Sequence, residues 1–322
     1  MKRVLVTGGA GNVGGALAEG LVKTNKYFVT IVDNLETGSV SKLPSKKYTN
    51  WDFYEANVNS FENIAKIMIG GNYDYVFHYA ALVGVDRTLA RPLDVLEDIK
   101  GIEHICKLCV QENVKRLFFS SSSEVYGEPV EFPQNEESTP INSKLPYAKV
   151  KAIGESYLQA YHQEYGLDYT IFRFFNTYGP KQSEDFVLGR FIRAAIKGED
   201  ITVVGDGSQT RTFCHIDDNL KVTLAALEKG YFLNDIINLG NDNELSILEL
   251  AKTVIAVLNS NSRIVYIPER VEGDMRRRLP DLTKLRKYYK NPLISLEDGV
   301  KMVVDSYMNE MQTNKEIYQE IV

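Results

Sequence analysis

Short apolar runs alternate with longer amphipathic stretches along the first half of the chain. Residues 2–7, 27–33, 52–55, 75–80, 116–121 and 169–175 are dense in β-branched and aromatic side chains, the pattern of strands covered on both faces. Between them, residues 14–23, 61–69, 93–112 and 147–165 space their apolar positions three and four apart, the period of a helix with one buried stripe. Strands alternating with helices long enough to cross over predict βαβ units. The expected class is therefore α/β, a doubly wound parallel sheet.

After Phe175 the rhythm breaks. Residues 176–211 read as loops, one helix and a short strand at 201–204. Residues 213–229 read as helix and 235–239 as strand; 246–258, 282–289 and 295–311 are helical patterns around one strand at 263–267. This predicts a first domain over 1–175, with 213–241 returning to it. A smaller, partly interleaved C-terminal lobe would be formed by 176–212 and 242–322.

Composition narrows the function classes. The chain has 322 residues, 44% hydrophobic and 25% charged, enough for a large core in roughly two units. A net charge of -6 and a pI near 5.5 argue against a non-specific nucleic-acid binder, whose footprint would be basic. No apolar run approaches the ~20 residues of a membrane span. Met1-Lys2-Arg3 leads at once into a strand-like VLVTGG, without the apolar region and cleavage site of a secretory signal. Three cysteines make a poor disulfide set. The expectation is a cytoplasmic protein with neither nucleic acid nor membrane as partner.

Residues 7–14 read TGGAGNVG, directly after a strand and directly opening a helix. Gly8 permits a tight turn, Gly11 lets the backbone approach a pyrophosphate, and Gly14 lets helix pack on strand, as in a Rossmann-type nucleotide site. The exposed amides at the helix start would face the anion. Asp33 closes the second strand, where a carboxylate can accept from both hydroxyls of an adenosine ribose and repels a 2′-phosphate. The cofactor expected is NAD rather than NADP. A strand-end turn acid is the plainer alternative for Asp33.

Tyr147 and Lys151 lie four apart on one helix, hence on one face. A nearby cation lowers a phenol's pKa, which would make Tyr147 a general base for a hydroxyl. Alone, the pair could be an ordinary helix surface. The run SSSSEVYG at 120–127 places a serine cluster at the carboxyl end of a strand, where ligands of open α/β sheets bind.

These stretches resemble the short-chain dehydrogenase/reductase superfamily in its extended, nucleotide-sugar-modifying branch. The resemblance runs nearly end to end, through VDN at 32–34, VFHYAA at 76–81, YAKVK at 147–151, RFFNTYGPKQ at 173–182, GDGSQTRTF at 205–213 and EGDMRRRLPD at 272–281. It implies an NAD-dependent enzyme with a nucleotide diphosphate sugar as partner. Ser122 would be the catalytic serine, Tyr147 the base and Lys151 its companion. Asn12 and Val13 would join the glycine turn; Asn34, Asn57 and Val58 would surround the adenosine; Ala80 and Ala81 would line the nicotinamide path. Ser122 and Ser123 would face the substrate. Asn176, Arg211 and one arginine of the run 276–278, Arg277 first, would hold the nucleotide diphosphate. A row of arginines is a costly surface without an anion, although a solvated basic patch also accounts for some of it. Members commonly pair their equivalents of helices 93–112 and 147–165 into a homodimer.

The resemblance implies one opening step, removal of a hydroxyl proton by the base and of hydride from carbon 4 of the sugar to NAD. Epimerases return the hydride to the other face, dehydratases eliminate water across carbons 5 and 6, and decarboxylases lose a carboxyl group. Glu124 matches the dehydratase glutamate, but the aspartic acid that precedes it in thymidine-linked dehydratases is Ser123 here. Guanosine-linked mannose dehydratases and uridine-linked glucuronate decarboxylases also carry Ser–Glu. Asp98 stands where the family usually has asparagine, Val83 where epimerases carry a phosphate-contacting lysine, and Val271 where they carry an arginine. The chain is more distantly similar to capsule enzymes that oxidise carbon 4 of a guanosine-linked heptose. The reading placed first is oxidation at carbon 4, by a dehydrogenase or epimerase of bacterial surface polysaccharide synthesis. A 4,6-dehydratase or decarboxylase using Glu124 is the alternative. A redox sensor that holds NAD without turnover is the alternative class, and it has no need of Ser122, Tyr147 and Lys151 together.

Other signals are bland. Cys106 and Cys109 with His104 lack further metal ligands at suitable spacing and read as core thiols, so no metal site is expected. Cys214, His215 and His78 read as structural. The nineteen tyrosines show no stacking period, and Glu136–Glu137 reads as solvated loop.

Overall fold

The β-branched runs meet in one sheet. The computed structural model describes residues 1–128, 130–183, 186–268 and 276–321. From the N-terminus the chain runs β1 (Lys2–Thr7), α1 (Asn12–Lys23), β2 (Tyr27–Asp33), β3 (Trp51–Glu55), α2 (Phe61–Met68), β4 (Tyr75–His78), α3 (Val85–Ala90), α4 (Pro92–Gln111), β5 (Arg116–Ser122), α5 (Pro146–Tyr165) and β6 (Tyr169–Phe174). It continues through β7 (Thr177–Tyr178), α6 (Val187–Lys197), β8 (Ile201–Val204), β9 (Thr210–Thr212), β10 (Cys214–His215), α7 (Ile216–Lys229) and β11 (Asp235–Leu239). It ends with β12 (Glu244–Ser246), α8 (Ile247–Leu258), β13 (Ile264–Ile267), α9 (Thr283–Tyr288) and α10 (Leu296–Ile321).

Among the described residues, seven strands form a parallel sheet in the order β11-β6-β5-β4-β1-β2-β3. Strand alternation sends Leu5 and Phe119 to one face, packed with Ile102 and Ile105 of α4 and Leu158 of α5. Val4, Val6 and Phe118 go to the other, against Leu17 and Leu21 of α1 and Val222 and Ala226 of α7. Both faces are dry, as a parallel sheet requires. The direction of winding reverses between β1 and β4, and a crevice opens at their carboxyl ends. β11 adds beside β6 in parallel, with Ile237 opposite Phe172.

The other elements build a lobe over that crevice. α6, α8 and α10 pack on the parallel pair β8–β13 around Phe191, Ile201, Leu250, Val254 and Val300. A capping box starts α8: Ser246 Oγ accepts from Glu249 N–H, and the Glu249 carboxylate accepts from Ser246 N–H.

Three expectations need correction. Residues 213–229 are not one helix: Cys214 and His215 pair in parallel with Thr177 and Tyr178, and α7 begins at Ile216, where the His215 side chain accepts from Asp217 N–H. The last helix runs to Ile321 rather than 311, through a stretch with no glycine or proline to stop it. The short helix α3, unexpected from the pattern, is set off from α4 by Arg91, and Pro92 then takes the first position of α4. No helix among the described residues is long and apolar enough to cross a membrane.

Candidate active site

The glycine turn leaves no room for side chains. Gly8 has φ +69°, and a Cβ there would lie 2.6 Å from Ala80 N. One on Gly14 would lie 2.2 Å from Gly8 O. α1 starts at Gly11 without a side-chain cap or an acid in its first turn, so its amides remain for an anion. Asp33 is buried beside this turn; Oδ2 accepts from Ala10 N–H and Oδ1 from Leu35 N–H, both at 2.9 Å. Each oxygen keeps a lone pair for a ribose hydroxyl. This cradle fits an adenosine diphosphate moiety.

A cavity of about 480 Å³ extends from the turn along the sheet's carboxyl end. It brings together Gly8, Gly11, Asn12, Val13, Gly14, Asp33, Asn34, Asn57, Val58, Ala80 and Ala81 at one end. Ser122, Ser123, Glu124, Tyr147, Lys151 and Asn176 lie along its remaining wall. Ser122 ends β5, and its Oγ accepts from Glu124 N–H at 3.2 Å. Tyr147 and Lys151 open α5, with the ammonium 5.7 Å from the phenol ring centre. Lys151 Nζ donates to Ser120 Oγ at 3.4 Å.

The electrostatics differ from the sequence expectation. Tyr147 is raised rather than lowered. Burial and then the Glu124 carboxylate push its phenol above the ordinary value; a hydrogen bond with Ser122 and the Arg278 guanidinium pull the other way, and Asp98 adds to the rise. Lys151 itself is pushed down to about 8 by burial, against the charge of Asp98. Asp98 accepts from Leu82 N–H at 2.8 Å and from Asn59 Nδ2 at 3.1 Å, and burial raises its carboxyl. His78 is buried, paired with Thr7 Oγ1 at 2.8 Å, and held neutral by burial, which lowers it to about 3. Cys106, Cys109 and Cys214 are buried free thiols, and burial raises all three.

A second cavity of about 270 Å³ continues from the first beneath the lobe; Glu124, Asn176 and Arg278 line both. Arg211, Arg87 and Arg190 line the second, with Phe186 and Phe213 as apolar wall. Arg277 lines neither. Its Nε and Nη2 donate to the two oxygens of Glu244, each at 2.7 Å, and its guanidinium lies 4.2 Å from the Phe132 ring centre. Arg278 is buried at the junction, with Nη1 3.7 Å from Glu124 Oε1. Of the stretch 272–281, residues 272–275 lie outside the described residues, as does Val271.

Residues 4–240 match the sequence profile of the NAD dependent epimerase/dehydratase family. The chain belongs to that family. It is an NAD-dependent enzyme of the group that contains nucleotide-sugar epimerases, dehydratases and decarboxylases. A UDP-N-acetyl-α-D-glucosaminuronate decarboxylase of Bacillus cytotoxicus is 35% identical over 94% of this chain and 97% of its own length. A putative UDP-glucose 4-epimerase of Methanocaldococcus jannaschii is 32% identical over 96% of this chain and 100% of its own. The crystal structure of a Thermotoga maritima UDP-glucose 4-epimerase with UDP-glucose superposes with TM-score 0.89 at 32% identity, covering 96% of this chain and 99% of that one. The glycine turn and Ser122, Tyr147 and Lys151 share one cavity.

Arg87 and Arg190 carry no signal in the sequence because neither belongs to a recognisable motif. Arg278 was inside the arginine run, but extended neighbours point to opposite sides, and only one of Arg277 and Arg278 can face the cavity.

Proposed function

We propose that this enzyme oxidises carbon 4 of a sugar carried on a nucleoside diphosphate. The observation that carries the reading is the continuity of the two cavities. A nucleotide cradle at one end and a set of arginines at the other flank Ser122, Tyr147 and Lys151. When bound, NAD supplies the hydride acceptor and a positively charged ring. Tyr147, as phenolate, takes the proton of the carbon 4 hydroxyl, so that carbonyl formation and hydride loss balance. Ser122 donates to the substrate oxygen and orients it against the phenol. Lys151 binds the nicotinamide ribose. Arg211 and Arg278 take the diphosphate, with Arg277 as a brace to Glu244. The relatives named above act on uridine-linked sugars by their names, so the uridine series is the first to test, ahead of a guanosine-linked heptose.

The outcome after oxidation has a second reading with its own support. Glu124 and Arg278 form a pair at the junction of the cavities, beside Tyr147. A guanidinium there can hold a sugar carboxylate, and a 4-keto uronic acid loses carbon dioxide readily because the ketone takes up the electron pair. Ser123 is too weak an acid to assist loss of water, which sets dehydration behind decarboxylation. The test incubates the NAD-loaded protein with UDP-glucose, UDP-N-acetylglucosamine, UDP-glucuronic acid and guanosine-linked hexoses, following NADH absorbance and product mass together. Oxidation or epimerisation leaves the carbon skeleton intact, and decarboxylation removes carbon dioxide. No spectral change and no product with any of them defeats the proposal. A cytoplasmic homodimer with α4 and α5 at its interface completes the reading, supported by exposed Leu93 and Leu96 on α4 and exposed Ile153 and Tyr165 on α5.

A further inference from the structure

The helix face that carries Tyr147 and Lys151 continues one turn further to Glu155, which faces away from solvent and lines neither cavity. Glu155 Oε1 accepts from Ser121 Oγ at 2.5 Å and from Arg173 Nε at 2.9 Å, and Oε2 accepts from Arg173 Nη2 at 2.7 Å. Arg173 Nη1 donates to Tyr126 Oη at 2.8 Å, and that hydroxyl donates to Asn238 Oδ1 at 2.7 Å. Asn238 Nδ2 donates to Gln134 O at 2.8 Å. All five side chains from Ser121 to Asn238 are buried, none more than 2% exposed. The chain of bonds therefore crosses α5, β5, β6, β11 and the turn after β5. Its members flank the chemistry: Ser121 precedes Ser122, Tyr126 follows Glu124 by two, and Glu155 follows Lys151 by four.

We propose that Glu155 and Arg173 are positioning residues, which fix the separation between the serine at the end of β5 and the Tyr147–Lys151 face of α5. This rests on the proposed reaction. A buried ion pair is a poor device for stability, since apolar side chains of similar volume hold a core at least as well. It is a good device for geometry, because a forked guanidinium and a carboxylate satisfy each other in one arrangement only. Ser122 must sit within hydrogen-bond reach of the phenol and of the substrate oxygen, and α5 reaches β5 at this depth through the Ser121–Glu155 bond. Rotation or sliding of α5, which carries the phenol, would break the three bonds that Glu155 accepts.

The experiment compares the NAD-loaded wild type, Glu155→Gln, and the double substitution Glu155→Leu with Arg173→Met, which removes both charges together. Thermal midpoint and NAD affinity report the fold. Ionisation of Tyr147 is read from the ultraviolet difference spectrum against the same background carrying Tyr147→Phe, and needs no turnover. The double variant is expected to keep NAD affinity within about threefold, while Tyr147 titrates at higher pH because its bond with Ser122 is weakened. With UDP-glucose or UDP-glucuronic acid, single-turnover nicotinamide reduction is expected to fall by about tenfold or more. A folded double variant with unchanged titration and rate overturns the proposal. If the double variant does not fold, Tyr126→Phe removes one hydroxyl from the chain of bonds; a raised Tyr147 titration then supports the proposal, and an unchanged one overturns it. If the wild type reduces no cofactor with either sugar, the proposed reaction fails, whereas the titration still decides the positioning role.

Discussion

As the proposed base, Tyr147 has to lose its proton in a place that resists the loss. Burial and the Glu124 charge raise its phenol, and the Ser122 bond and Arg278 oppose them. Tyr147→Phe should leave fold and NAD binding intact and reduce turnover by on the order of 10²–10⁴-fold; a rate above about a tenth of wild type would exclude it as the base. The rate of nicotinamide reduction should rise with pH as the phenolate fills. Because Glu124 raises the phenol, Glu124→Gln should move that rising limb to lower pH, which a single-turnover pH profile reads directly; an unmoved limb removes Glu124 from the base's environment. At the other end of the cavity, Asp33 should make NAD bind more tightly than NADP by about tenfold or more, since a 2′-phosphate would sit against its carboxylate. Equal affinities in a binding titration would contradict that. These residues were legible because helix period and strand ends fix their direction. The sign of the Tyr147 shift was not, because it depends on Glu124 and burial, which sequence spacing does not measure.

At the scale of elements, the proposed reaction makes substrate affinity depend on which way each arginine of the extended run after residue 275 points. Arg278→Lys should keep the charge but lose the fork, raising KM for the nucleotide sugar about tenfold, while Arg277→Lys, half exposed against Glu244, should change it by about twofold or less. Steady-state kinetics on the two variants separates them; equal effects would mean that both arginines reach the substrate. Apart from the short α3, the strands and helices of the first half were legible to within a residue or two, since their apolar periods are regular. The Cys214–His215 strand was hidden because two residues carry no period, and its pairing with Thr177 and Tyr178 is a contact distant in sequence.

For the whole molecule, the outward residues of α4 and α5 predict association. Tyr165 and Ile153 of α5 are exposed, and Leu93 of α4 is 75% exposed. Sedimentation at micromolar concentration should give about twice the 36.4 kDa chain mass. A species of single-chain mass would contradict it.

The late arrival of β11 has a consequence for the nascent chain. β6 reads YTIFRF and leaves the ribosome with one edge unpaired, because its partner is encoded about sixty residues later. At roughly 5–20 residues per second that edge stays open for about 3–12 s. A hydrophobic strand with free amides and carbonyls is a template for any other extended segment nearby. During synthesis, then, the open edge of β6 is an aggregation-prone surface that the finished fold closes by pairing it with Asp235–Leu239. A ribosome pausing after β6 has emerged but before Asp235–Leu239 has done so would lengthen that exposure.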